Sequence, residues 1–129
     1  MPPLTQSLVE RIDDTTSRIN NAEIATYLRD RLGQRVTAYL LGAADPKQVA
    51  AYTRGGNISD VRARRLREGY KLVRMIETPY DVDTAKAWLF GTNARLDDQA
   101  PIEVLATATR TEQFTDVRRA ARQFATAEV

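Results

Sequence analysis

The chain contains no cysteine and no histidine. Disulfides, thiolate nucleophiles, imidazole bases and the usual zinc ligands are therefore excluded together. No stretch approaches the roughly 18 apolar residues that a membrane helix needs. Met1 to Thr16 carries Glu10, Asp13 and Asp14 where a secretory signal would have an apolar run. Both absences predict a cytoplasmic protein with no membrane partner. There is no Walker-type phosphate loop and no Ser-x-x-Lys, and the acids Asp81, Asp83, Asp97 and Asp98 lack the spacing and glycine turn of an EF-hand. These acids read as loop and cap residues. Carboxylate pairs able to act as acid and base arise at random in a helical chain with this many acids. The expectation is a protein that acts by binding, is not an enzyme, and uses no metal and no cofactor.

What is present suits a folded domain. At 129 residues, 43% hydrophobic and 28% charged, the chain is long enough to bury a core and unlike a disordered segment. The net charge of +2 conceals an uneven distribution. Residues 54–76 hold seven cations (Arg54, Arg62, Arg64, Arg65, Arg67, Lys71, Arg74) against Asp60 and Glu68, whereas the segments on either side are balanced or acidic. Such a cluster is the footprint of a polyanion partner or a solvated helix face.

Helical spacing recurs along the whole chain, and no alternating run predicts a strand. Leu8, Ile12, Thr15 and Ile19 share one face of a first helix. Asn20 with Glu23 starts a second, with Ile24, Ala25, Leu28 and Leu32 as its apolar set and Gly33 at its end. Val36 to Leu41 is a short helix before Gly42. Asp45 and Pro46 then open another that runs to Arg54 and stops at Gly55-Gly56-Asn57. Ser59 caps a longer helix with the stripe Ala63, Leu66, Tyr70 and Val73; one residue along, Arg64, Arg67, Lys71 and Arg74 form a parallel cationic stripe. After Thr78-Pro79, Asp81 or Asp83 begins a helix through Trp88, Leu89 and Phe90. Pro101 begins a short one with Ile102, Val104 and Leu105, and the last carries Phe114, Val117, Ala121 and Phe124. The predicted fold is all-α, with N-terminal helices over 1–78 and a small helical domain over 79–129.

Ala38 to Gly55 has the layout of a helix-turn-helix. Ala38, Leu41, Gly42, Val49, Tyr52 and Gly55 occupy the places that the lambda-repressor-like (Xre) family fills with a small residue, leucine, a turn, a β-branched residue, an aromatic and glycine. With Val49 and Tyr52 inward, Lys47, Gln48, Ala51 and Arg54 face outward, where Lys and Gln can read base edges and Arg can hold phosphate or guanine. The competing reading is an αα-hairpin used only for packing.

The segment Trp88-Leu89-Phe90-Gly91-Thr92-Asn93-Ala94-Arg95-Leu96, followed by Pro101-Ile102-Glu103-Val104-Leu105, resembles the toxin-binding domain of antitoxins to RES-domain toxins, the Xre/MbcA/ParS-like family. The resemblance rests on Trp88, Asn93, Leu96, Pro101 and Leu105 and spans roughly residues 22 to 126. It departs at Thr109-Arg110-Thr111-Glu112, where many relatives have a glycine. It implies a bacterial antitoxin, commonly a homodimer, that represses its own operon and neutralises a cognate RES-domain toxin, with the NAD-degrading chemistry in that toxin. Arg118, Arg119 and Arg122 could enter the toxin's acidic or nucleotide-binding cleft, or form a solvated face balanced by Glu112 and Asp116. Two rivals stay open: a stand-alone transcription regulator whose C-terminal part only dimerises, and an antitoxin whose helix-turn-helix no longer binds operator DNA.

Overall fold

Several helices in this chain start where a side chain can accept from orphan backbone N–H groups, or where proline has none to satisfy. The computed structural model describes residues 6–43 and 45–126. Among them are α1 (Gln6–Arg18), α2 (Asn21–Leu32), α3 (Gln34–Leu41), α4 (Lys47–Thr53), α5 (Asp60–Glu77), α6 (Val82–Phe90), a 3-10 helix (Ala94–Leu96), α7 (Pro101–Thr107) and α8 (Thr111–Ala125). The fold is all-α, and no strand occurs among the described residues. Ala44 in the expected turn, and the outer ends of the expected domains at 1–5 and 127–129, lie outside the described residues.

The caps follow the sequence closely. Asn20 Oδ1 accepts from the Glu23 N–H at 2.9 Å, Ser59 Oγ from that of Arg62 at 3.3 Å, and Asp81 Oδ1 from that of Thr84 at 2.7 Å. Of the two acids able to open α6, Asp81 is thus the cap. The hydrogen bonds from Thr84 hold its carboxyl below the ordinary aspartate range. A carboxyl depressed in the native state stabilises the fold above its unfolded-state pKa and loses that contribution as pH falls through the native one. Acid should therefore loosen α6. Asp81→Asn, which keeps the acceptor but does not titrate, should melt with less acid sensitivity than wild type when followed by circular dichroism. Equal acid sensitivity of the two proteins would show that Asp81 contributes nothing to it.

The central element is α5, which α1, α2, α3, α6, α7 and α8 all touch. The expected stripe of Leu66, Tyr70 and Val73 is buried, with Ala63 half-buried beside it, but Leu72, Met75 and Ile76 are buried as well. One stripe suffices for a surface helix; a helix enclosed on most sides buries more. Gly69 allows α3 to approach, since a Cβ there would lie 2.8 Å from Cδ2 of the buried Leu40. A polar clasp holds α2 to the end of α5. Tyr27 packs edge-on against Tyr70, with ring centroids 4.8 Å apart, and donates its hydroxyl hydrogen to Glu77. The Arg31 guanidinium stacks 3.6 Å from the Tyr27 ring centre while its Nε donates to both Glu77 oxygens, at 2.9 and 3.1 Å. Burial, followed by Glu77, raises the Tyr27 hydroxyl above its ordinary pKa.

Three sequence expectations need correction. In α1 the buried residues are Val9, Ile12 and Thr16; Thr15 is exposed and Leu8 and Ile19 are only partly covered. Thr16 tolerates burial because its hydroxyl donates to the Ile12 carbonyl at 2.6 Å. In α8, Phe114, Val117 and Ala121 are buried, but Phe124 is 40% exposed. The boundary expected between 78 and 79 separates no two cores: Leu40, Leu41, Leu66, Leu105, Phe114 and Val117 belong to one hydrophobic cluster. Proline ends α5 there, yet the apolar faces of α7 and α8 pack on α3 and α5.

Candidate functional site

The corner between α3 and α4 is built from local chemistry. After Leu41 the chain enters the left-handed region at Gly42 (φ 71°, ψ 23°). The Gly42 N–H donates to the Tyr39 carbonyl and the Ala43 N–H to the Ala38 carbonyl, each at 2.9 Å, the pair of bonds that closes a Schellman ending. Asp45 Oδ1 then accepts from the Lys47 N–H at 2.9 Å, and Pro46 already has helical dihedrals. Within α4, Val49 and Tyr52 are buried, as their places in the motif require.

Lys47 and Arg54 are exposed, and Gln48 and Ala51 half-buried. Lys47, Ala51 and Arg54 are four and three residues apart and so share one face, with the small Ala51 between the two cations. Gln48 is held from below: Arg62 Nη1 donates to Gln48 Oε1 at 3.3 Å and to the Tyr52 hydroxyl at 3.1 Å. Sequence reasoning counted Arg62 only within the cationic cluster. Its signal was its place three residues after the Ser59 cap, at the end of α5 nearest α4.

The corner is secured from behind by Arg65, which is only 9% exposed. Its Nη1 donates to the Leu41 carbonyl at 3.0 Å, and its Nε and Nη2 donate to the Ala108 carbonyl at 3.1 and 2.9 Å. One guanidinium thus joins the last carbonyl of α3, where the helix dipole favours positive charge, to the carbonyl of Ala108 just past α7. No spacing in the sequence distinguished this arginine from its solvated neighbours.

Of the expected stripe, Arg67 and Lys71 lean on α1 and Arg64 on α8. Arg67 donates to the carbonyls of Ile19 and Thr16 and to Asn21 Oδ1, which ties α5 to the α1–α2 junction. Lys71 pairs with Asp13 of α1 at 3.3 Å. Arg64 lies 4.6 Å from the Phe114 ring centre and donates to Thr111 Oγ1 at 3.2 Å. Arg74 sits 6.0 Å from the Tyr70 ring centre. Four cations at helical spacing do share a side of α5, but Arg67 is spent on holding the fold.

The tryptophan segment is mainly a packing device with one open face. Leu96, Pro101 and Leu105 are buried. Asn93 caps the 3-10 helix, accepting from the Arg95 N–H at 3.0 Å, and its backbone N–H donates to Gln99 at 3.2 Å. Asp97 and Asp98 adopt left-handed conformations in that loop, as turn residues do, and no group of acids among the described residues could hold a metal ion. Trp88 is 9% exposed and contacts Phe124, which in turn contacts Tyr80, at centroid distances of 6.4 and 5.4 Å. Trp88, Asn93, Arg95, Gln123 and Phe124 line a recess of about 210 Å³ beside this face. Tyr80 was not singled out from the sequence; Phe124 was assigned to the core.

On α8 the three arginines differ. Arg118 Nε lies 3.1 Å from Glu68 Oε2, an acid of α5 that is almost wholly buried. Arg119 is exposed and faces Asp116 at 3.9 Å. Arg122 is exposed in the next turn. The partner of Arg118 is therefore a tertiary one, not Glu112 or Asp116. Among the described residues no helix is long and apolar enough to cross a membrane. Compared with protein-family profiles, curated proteins and solved structures, the chain matches none.

Proposed function

We propose that this protein is a type II antitoxin that neutralises a cognate RES-domain toxin by direct binding and represses its own operon, acting without a cofactor in the cytoplasm, as a homodimer. The observation that carries the reading is the α3–α4 corner: Val49 and Tyr52 lie inward while Lys47, Ala51 and Arg54 share an outward face beside Gln48. In this reading Lys47 and Arg54 contact phosphate or guanine. Gln48, its oxygen already taken by Arg62, offers its amide N–H groups to a base acceptor. The toxin meets the chain at the exposed aromatics Phe124 and Tyr80, backed by the buried Trp88, since exposed aromatics supply binding energy at protein interfaces.

Co-expression with the adjacent open reading frame, scored by growth and by co-purification, tests the toxin half. Rescue of growth with a stable complex is expected; a neighbour that is harmless alone, or toxic and not rescued, overturns it. A gel shift on the protein's own promoter tests the other half. Binding should weaken steeply with salt, because neutralising phosphates releases counterions, and should weaken about tenfold or more in Lys47→Ala/Arg54→Ala, at roughly 1–3 kcal/mol for a good base contact. Absence of binding at low salt overturns the operator role while leaving toxin binding standing.

A further inference from the structure

Arg62 and Arg64 leave α5 on opposite sides, because two residues correspond to about 200° of helix. Arg62 bonds to Gln48 and Tyr52 of α4, whereas Arg64 leans over Phe114 of α8. From Arg64 the same face continues through Glu68, Lys71 and Met75, at steps of four, three and four. That face floors a groove between α1 and α8. One recess of about 400 Å³ has Asp13 and Thr16 of α1 on one side and Arg64, Arg67 and Lys71 along α5. A second, of about 240 Å³, is lined by Val9 and Asp13 of α1, Met75, and Arg118, Arg119 and Arg122 of α8. Asp13 borders both. Cations that the sequence divided between DNA and a toxin therefore line two recesses that share Asp13 as a border.

We propose that this groove receives an acidic, partly apolar segment of a partner protein. The lining holds twice as many cations as carboxylates, the latter being Asp13, Asp60 and Glu68. Arginine forks match carboxylate geometry. Arg119 and Asp116 are both well exposed where they pair, and an exposed pair is weak enough for an incoming carboxylate to exchange with it. Half-buried Ala63 offers apolar surface between the charges, above the buried Val9 and Met75. A phosphate backbone fits less well, because the groove opens on the side of α5 away from Arg62 and α4. The inference does not depend on the antitoxin reading, since any partner with such a segment would satisfy it.

Fluorescence anisotropy of the full chain with a labelled glutamate–leucine peptide, the matching glutamine–leucine peptide and a DNA duplex tests the assignment. The glutamate peptide should bind at least tenfold more tightly than the glutamine peptide. Arg119→Glu/Arg122→Glu should abolish that preference while leaving duplex affinity within twofold, and Arg64→Gln, on the α5 floor, should reduce the preference at least threefold with the melting temperature unchanged. Equal binding of the two peptides, or a preference that survives these substitutions, overturns the proposal. So does a loss of duplex binding in the α8 variant as large as that in Lys47→Ala/Arg54→Ala, which would make the groove part of a nucleic-acid surface.

Discussion

Arg65→Ala should lower the free energy of unfolding by about 3 kcal/mol or more, since each buried carbonyl left without its donor costs roughly 1–3 kcal/mol and the missing side chain leaves a cavity. Three N–H groups of one guanidinium reach Leu41 and Ala108, so a single substitution releases the ends of both α3 and α7. Arg65→Met keeps most of the apolar stem and should recover only the packing part of the loss. Arg65→Lys cannot span both carbonyls from one ammonium and should also remain destabilised. Urea unfolding measures all three. A change of less than about 1 kcal/mol in Arg65→Ala, the size of an ordinary net hydrogen bond, would show that water replaces the guanidinium without loss. Under the proposed operator role, duplex affinity should fall together with stability in this series, because α3 carries the turn that presents α4.

Gly42→Ala should be comparably severe, at about 3 kcal/mol, for two separable reasons. An L-residue in the left-handed region costs roughly 1–2 kcal/mol. A Cβ at this position would also lie 2.6 Å from Arg65 Nη1 and 2.7 Å from the Ala106 carbonyl oxygen. The first could retract only by giving up its bond to Leu41; the second is helix backbone and could move only with α7. Gly55 supplies the control. It too ends a helix with positive φ, at +85°, its N–H donating to the Tyr52 carbonyl and that of Gly56 to Ala51, but nothing lies within 4 Å of its Cβ position, so Gly55→Ala carries the conformational cost alone. Equal losses for the two variants would mean that α7 does not press on the corner. In a double-mutant cycle the Gly42→Ala penalty should shrink in an Arg65→Ala background, because one of the two clashing groups is gone.

Much of this architecture is visible in the amino-acid order. Asn20, Ser59 and Asp81 cap helices, Gly42 turns the chain, and Asp45 and Pro46 reopen it. Each of these acts on backbone within a few residues of itself, so reading the neighbouring letters is enough. The inward placement of Val49 and Tyr52 follows for the same reason, as does the exclusion of thiol and imidazole chemistry from composition alone.

The fates of the arginines were settled only by packing. Helical period places Arg64, Arg67, Lys71 and Arg74 on one side of α5, but it is silent on what lies against that side. In the folded chain α1 covers part of it and takes up Arg67, α8 meets Arg64, and Glu68 is buried opposite Arg118. Arg65, one letter from Arg64, is enclosed between two helix ends. A cation's charge belongs to its residue type, whereas its exposure and its partner belong to whichever distant helix packs beside it. Local sequence therefore determined the helices and the α3–α4 turn, and tertiary structure decided which positive charges are left to meet another molecule.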